Sequence, residues 1–135
     1  MDPDELARDY VEALAERDLE RLLTLFAPDA IVLSPLYGAL AAADFYPRLL
    51  TDSGPSRLTL LGTLGGTTVD GRPLVGIWFR FEWVLATGRE APFDVVDIAE
   101  IDGEGRIERL RIVYDTVDVR PTFEQETGRT SSRGR

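Results

Sequence analysis

The feature that most constrains this chain is a change in hydrophobic period near residue 55. Before it, apolar residues recur at helical spacing; after it, β-branched and aromatic residues gather in runs broken by glycine turns. Asp2-Pro3 supplies an N-cap and a first-turn proline, and Leu6, Tyr10, Val11 and Leu14 follow on one face, so a first helix runs to about Ala15. Asp18 caps a second, with Leu19, Leu22, Leu23 and Phe26 on one side and Pro28-Asp29 as the stop. Ala30 to Ser34 reads as a short strand ended by Pro35, and Ala41 to Leu50 as a third helix. Because proline suits only a helix's first turn, Pro47 lets that helix start as late as Asp44.

The second half reads as strands over Arg57–Leu64, Leu74–Ala86, Pro92–Ile101 and Ile107–Asp115. Gly65-Gly66, Asp70-Gly71, Gly88 and Asp102-Gly103 punctuate them. Helices followed by an antiparallel meander indicate an α+β fold. At 135 residues the chain has room for one core. We expect a single domain over 1–122 and a disordered polar tail over 123–135.

Composition removes many chemistries. There is no His, Cys, Lys or Asn, and all 15 basic residues are Arg. That excludes His-based triads, cysteine nucleophiles, Schiff-base lysines and thiolate zinc sites, and no spaced acidic loop suggests a carboxylate metal site. No metal and no cofactor are therefore expected, and any chemistry must come from carboxylates, Tyr, Ser and Arg. A net charge of −9 without a basic stripe argues against nucleic acid. No apolar stretch approaches the length of a membrane span, and the acidic N-terminus lacks the basic-then-apolar pattern of a secretory signal, so a cytoplasmic location is expected. The all-Arg basic complement suggests a GC-rich bacterial genome.

If Gly88-Arg89 is a two-residue hairpin turn, Arg80 faces Asp97, Glu82 faces Val95 and Val84 faces Phe93. Ile77, Phe79, Phe81, Trp83, Val96 and Ile98 then share the other, apolar face. Two arrangements fit this pattern. Either the charged face is wet and the apolar face packs on the helices, or the charged face lines a pocket and the apolar face meets another subunit.

Several segments carry a resemblance: Tyr10-Val11-Glu12-Ala13-Leu14, Arg17-Asp18-Leu19, Leu25-Phe26-Ala27-Pro28-Asp29-Ala30, Pro35 and Gly38, then Asp97, Asp102 to Ile107, and Tyr114-Asp115. Over residues 5 to 118 the chain resembles the SnoaL-like and ketosteroid-isomerase-like members of the nuclear transport factor two superfamily. That resemblance implies a cone-shaped, curved antiparallel sheet and three N-terminal helices enclosing a pocket. It also implies a homodimer through the opposite sheet face, which favours the second arrangement. Arg80, Glu82 and Asp97 would point into the pocket and the Phe/Trp face into a partner subunit.

Tyr10 matches the isomerase tyrosine that donates to a developing enolate, and Asp97 matches the acid that assists it. Ser34 stands where those isomerases keep an aspartate base, and Arg80 opposite Asp97 would hold that acid ionised. Arg80-Phe81-Glu82 is also similar to the Arg-x-Asp pair of limonene-epoxide-hydrolase-like proteins, with Ile112 where their second Asp stands. The catalytic candidates are thus Glu82, Asp97, Arg80 and Tyr10. Glu82, facing Val95 in a closed cavity, would carry the proton transfer. Ser34, Trp78, Val95, Leu110, Ile112 and Tyr114 are the substrate-binding candidates. The implied function is cofactor-free acid–base chemistry, of isomerase, cyclase or epoxide-hydrolase type, on a mostly apolar small molecule of specialised metabolism. The alternative is a non-catalytic ligand-binding or scaffold domain.

Overall fold

In the computed structural model, which describes residues 1–133, the helices form where their caps predict. Helix α1 spans Pro3–Ala15, with the Asp2 side chain accepting from the Asp4 amide, and buries Leu6, Tyr10, Val11 and Leu14. Helix α2, Leu19–Thr24, is capped in the same way by Asp18. Helix α3 spans Ala42–Asp52, starting earlier than Pro47 suggests and holding that proline in its interior. Its burial of Phe45, Tyr46 and Leu49 offsets the hydrogen bond that Pro47 cannot donate.

Six strands follow: β1 Phe26–Ser34, β2 Gly38–Ala41, β3 Arg57–Thr67, β4 Pro73–Glu82, β5 Phe93–Ile101 and β6 Ile107–Val113. They form one curved, open sheet in the order β2-β1-β6-β5-β4-β3. Neighbours are antiparallel except β1 and β6, which run parallel. Gly65 and Gly66 lie inside β3, and the reversal comes later, where the Thr68 amide bonds the Arg72 carbonyl.

The decisive departure is the β4–β5 hairpin. The Leu85 amide donates the closing hydrogen bond to the Arg89 carbonyl, so the loop is Ala86-Thr87-Gly88 with Gly88 at φ 93°. A three-residue loop that ends in a left-handed glycine is a favoured hairpin connection. It displaces the pairing by an odd number of residues from the two-residue reading. Asp97 lies opposite Ile77, Val95 opposite Phe79, and Arg80 opposite Asp94.

An odd shift exchanges faces between the two strands. Ile77, Phe79, Phe81 and Trp83 therefore share a face with Val95, Asp97 and Ala99, and all seven are buried against the helices of the same chain. The Phe/Trp face is consequently core, not a subunit interface. Trp78, Arg80 and Glu82 lie on the outer face with Asp94, and Arg80 pairs with Glu82 at 2.9 Å and Asp94 at 3.3 Å in solvent.

A fourth helix, α4, spans Val119–Thr127 and buries Val119 and Phe123. Phe123 stacks on Trp83 and meets Tyr37 edge-on, with centroids 6.1 and 5.3 Å apart. From Phe123 onward the chain, expected as a disordered tail, is helical to Thr127. Its continuation is tied to the body by the Ser132 amide on the Leu36 carbonyl and by Arg129 on Asp52. The last two residues of that expected tail, 134 and 135, lie outside the described residues.

The facing of β4 has a direct test in stability. Ile77→Ala should cost about 2–5 kcal/mol, as a truncation in a packed core does. Glu82→Gln, on the wet face, should stay within about 0.5 kcal/mol. Urea unfolding of the two variants shows which face of β4 is packed against the helices.

Candidate functional site

The inner face of the sheet and helices α1 and α3 enclose a cavity whose walls are almost wholly apolar. Tyr10 and Leu14 come from α1, Phe45 and Leu49 from α3, and Phe79, Phe81 and Val95 from the sheet. The cavity is narrow, with about 40 Å3 of room where one water needs about 10–15 Å3.

Asp97 is the single carboxyl among the described lining residues. It is 1% exposed, and its Oδ1 has no hydrogen-bond partner among the described residues. Burial pushes its carboxyl up to about 7, and the Tyr10 hydroxyl beside it pulls the other way. The cation expected to hold Asp97 ionised is absent from the cavity, because Arg80 belongs to the outer face. Around neutral pH, Asp97 therefore divides between its neutral and charged forms.

Two buried tyrosines adjoin Asp97. The Tyr10 and Tyr46 hydroxyls lie 2.8 Å apart, both fully buried. Burial first, and then the charge of Asp97, raises both phenols well above their ordinary value, so each keeps its proton as a donor. Tyr46 escaped the sequence reading because it sits in the run Phe45-Tyr46-Pro47, where it looks like helix core. Its spacing from Pro47 gives no sign that its hydroxyl meets that of Tyr10.

The remaining sequence candidates divide by face. Ser34, Val95, Ile112 and Tyr114 line the cavity with Tyr10 and Asp97. The Ser34 oxygen accepts from the amides of Leu36 and Tyr37, so this residue caps the turn after β1. Tyr114 stacks on Phe93 with centroids 4.0 Å apart. Leu110 is fully buried in the core but does not line the cavity. Glu82, Arg80 and Trp78 are outside it, on the far side of the sheet, for the register reason given above.

No group of three or more acidic or other metal-ligating side chains gathers among the described residues. No helix there is long and apolar enough to cross a membrane.

Asp97 makes stability depend on pH with a definite sign. Its folded value lies above that of an unfolded aspartate, so the native state alone keeps the proton between about 4 and 7. Its contribution is greatest below pH 4 and is lost as pH rises through 7, by up to about 4 kcal/mol. Asp97→Asn should remove this dependence and be the more stable protein above pH 7. Urea unfolding at pH 5 and pH 8 of both proteins measures the difference.

Comparison with known proteins agrees with this architecture. Residues 7–110 match the family model described as a SnoaL-like domain. No curated protein matches the sequence. Among solved structures, an NTF2-like protein of unknown function from Cytophaga hutchinsonii has a TM-score of 0.67 at 13% identity, over 92% of this chain and 96% of that one. The epoxide hydrolase/cyclase-like enzyme SalBIII, of pyran ring formation in the polyether salinomycin, has a TM-score of 0.68 at 14% identity, over 86% and 92%. A Catenulispora acidiphila protein with a ketosteroid isomerase-like fold, in complex with trimethylamine, scores 0.69 at 15% identity, over 87% and 90%. With the family model covering most of the sequence and the same fold recurring in these structures, the chain belongs to the SnoaL-like domain family.

Proposed function

We propose that this protein is a cofactor-free acid–base enzyme acting on a small, mostly apolar ketone, moving a proton at the carbon beside the carbonyl to isomerise or cyclise it. The observation that carries this reading is Asp97, a buried carboxyl with an unpartnered Oδ1 in an apolar cavity beside two protonated phenols. An ionised carboxylate without water around it is a stronger base than one in solution, and a value near 7 leaves much of it ionised at neutral pH. Tyr10, backed by Tyr46, is suited to donate to the oxygen on which negative charge develops. No other lining carboxyl among the described residues competes for the role of base, and Ser34 is engaged in its turn.

The epoxide-hydrolase version is less favoured. It needs an arginine between two acids inside the cavity, whereas Arg80, Glu82 and Asp94 cluster on the solvent face. The family resemblance to SalBIII supports ring-forming chemistry in a general way only. A ketone of enone or polyketide type fits both the walls and the donors. The narrowness of the cavity requires side chains to shift around such a ligand, and it favours a slim molecule.

With a cyclisable or isomerisable ketone as substrate, Asp97→Asn should lower kcat at least about 100-fold and Tyr10→Phe about 10- to 1,000-fold. In the wild type, kcat/KM should climb with pH through an apparent value near 7, because the base must be ionised. An Asp97→Asn variant with full turnover removes Asp97 from the chemistry. A profile that falls through 7 instead makes its neutral form the working one. Ligand binding without turnover of any ketone supports a non-catalytic binding domain.

We further propose a homodimer, now through the β3–β4 half of the outer sheet face. Trp78 and Leu64 are exposed there at 44 and 63%, away from β1 and β6. Sedimentation at micromolar concentration should give twice the chain mass, and Trp78→Glu should return the monomer.

A further inference from the structure

The cavity abuts a second depression on the outer side of the molecule, and Ser34, Ile112 and Tyr114 line both. That outer groove has a different character. Among the described residues its charged lining is Arg109 and Arg111, with no Asp or Glu, in a chain where acids outnumber arginines 24 to 15. The two arginines are two apart on β6 and so project from the same face.

Elsewhere the arginines on this surface are neutralised at short range, as Arg72 is by Glu100 and Glu108 at 2.8 Å and Arg80 by Glu82 at 2.9 Å. Arg109 reaches an acid only at 3.9 Å, and that acid, Glu100, already holds Arg72. Arg111 has no acid within salt-bridge distance among the described residues. Arg120 braces the groove wall from behind, donating to the Pro35 carbonyl at 3.1 Å. The result is a concentration of positive charge at the edge of an apolar cavity whose one ionisable carboxyl among the described residues is Asp97.

Building on the functional reading above, we propose that the substrate carries a carboxylate, held by Arg109 and Arg111 in the outer groove, while its apolar body passes between Ser34 and Tyr114 to Asp97. An anion inside the cavity would face Asp97 with no cation to offset it, so the two chemistries must lie at opposite ends of the ligand. Guanidinium groups suit the outer end, since each offers a planar fork to a carboxylate.

The test uses a matched pair of probes, 2-naphthylacetate and 2-(2-naphthyl)ethanol, titrated calorimetrically against the full chain. Two partly exposed ion pairs should make the acid bind about fivefold more tightly than the alcohol at low salt. The preference should fall below about twofold at near 0.3 M salt. The Arg109→Ala/Arg111→Ala variant should bind both probes equally, with the alcohol's affinity unchanged.

An acid that binds no better than the alcohol overturns the proposal while leaving the cavity reading intact. So does a preference that survives in the double variant. If neither probe binds the wild type, the cavity reading fails and this proposal with it. Both arginines are exposed, so their loss should leave folding unaffected, which a thermal melt confirms.

Discussion

The pairing of β4 with β5 is the constraint on which the rest of the structure depends. Each strand alternates, so its own two faces are fixed by sequence, but which face of β5 joins which face of β4 depends on the loop between them. With Ala86-Thr87-Gly88 as that loop, the apolar side chains of β4 join Val95, Asp97 and Ala99 on one surface. Helices α1 and α3 then close over that surface, and Asp97 is enclosed as the one charge-bearing group of the cavity wall among the described residues. The same register puts Arg80 beside Glu82 and Asp94, where water screens all three.

What makes Asp97 chemically unusual is therefore an absence of compensation. A buried carboxylate is normally paired with a cation or ringed by amide donors; here, among the described residues, one oxygen is left without a partner and no arginine lines the cavity. The carboxyl responds by holding its proton to about pH 7. Such a group costs the fold stability once ionised, a cost the aromatic packing of Phe26, Tyr46 and Phe79 around Tyr10 helps to offset. Retaining an uncompensated acid is hard to explain as structure and is what a proton-transfer site requires.

The elements that were legible in the sequence are those whose signal is local. Asp2 and Asp18 cap their helices with their own side chains, and Trp78 to Trp83 alternate as a strand must. Tyr10 and Asp97 were reached through family resemblance, and the cavity contains both. The facing of Glu82 was not legible, because it turned on whether Gly88 is the first residue of a two-residue loop or the last of a three-residue one. Both use a positive φ at glycine. Tyr46 was hidden for another reason: a hydroxyl that meets its partner 36 residues away leaves no trace in local spacing. Helix α4 has only Val119 and Phe123 as apolar anchors on an otherwise polar sequence, so its order comes from tertiary contact, not from propensity.

That last helix bears on the cavity itself. Tyr37 and Trp83 are two of its wall residues, and Phe123 packs on both from outside. Tyr37 is also fixed by its hydroxyl, which donates to Asp52 at 2.6 Å, and Asp52 is in turn paired with Arg129 beyond the end of α4. The Trp83 indole donates to Ser53 at 2.7 Å, and Ser53 donates to the Leu49 carbonyl. Both aromatic walls are thus pinned at their polar edges and pressed at their faces by the C-terminal segment. A cavity braced in this way keeps its narrow, mostly apolar walls around Asp97 before any ligand arrives, and burial of that kind is what raises a carboxyl toward pH 7. The narrowness of the site and the raised proton affinity of its acid are then two results of one arrangement, and a ligand that widens the cavity must itself replace the apolar contacts that bury Asp97.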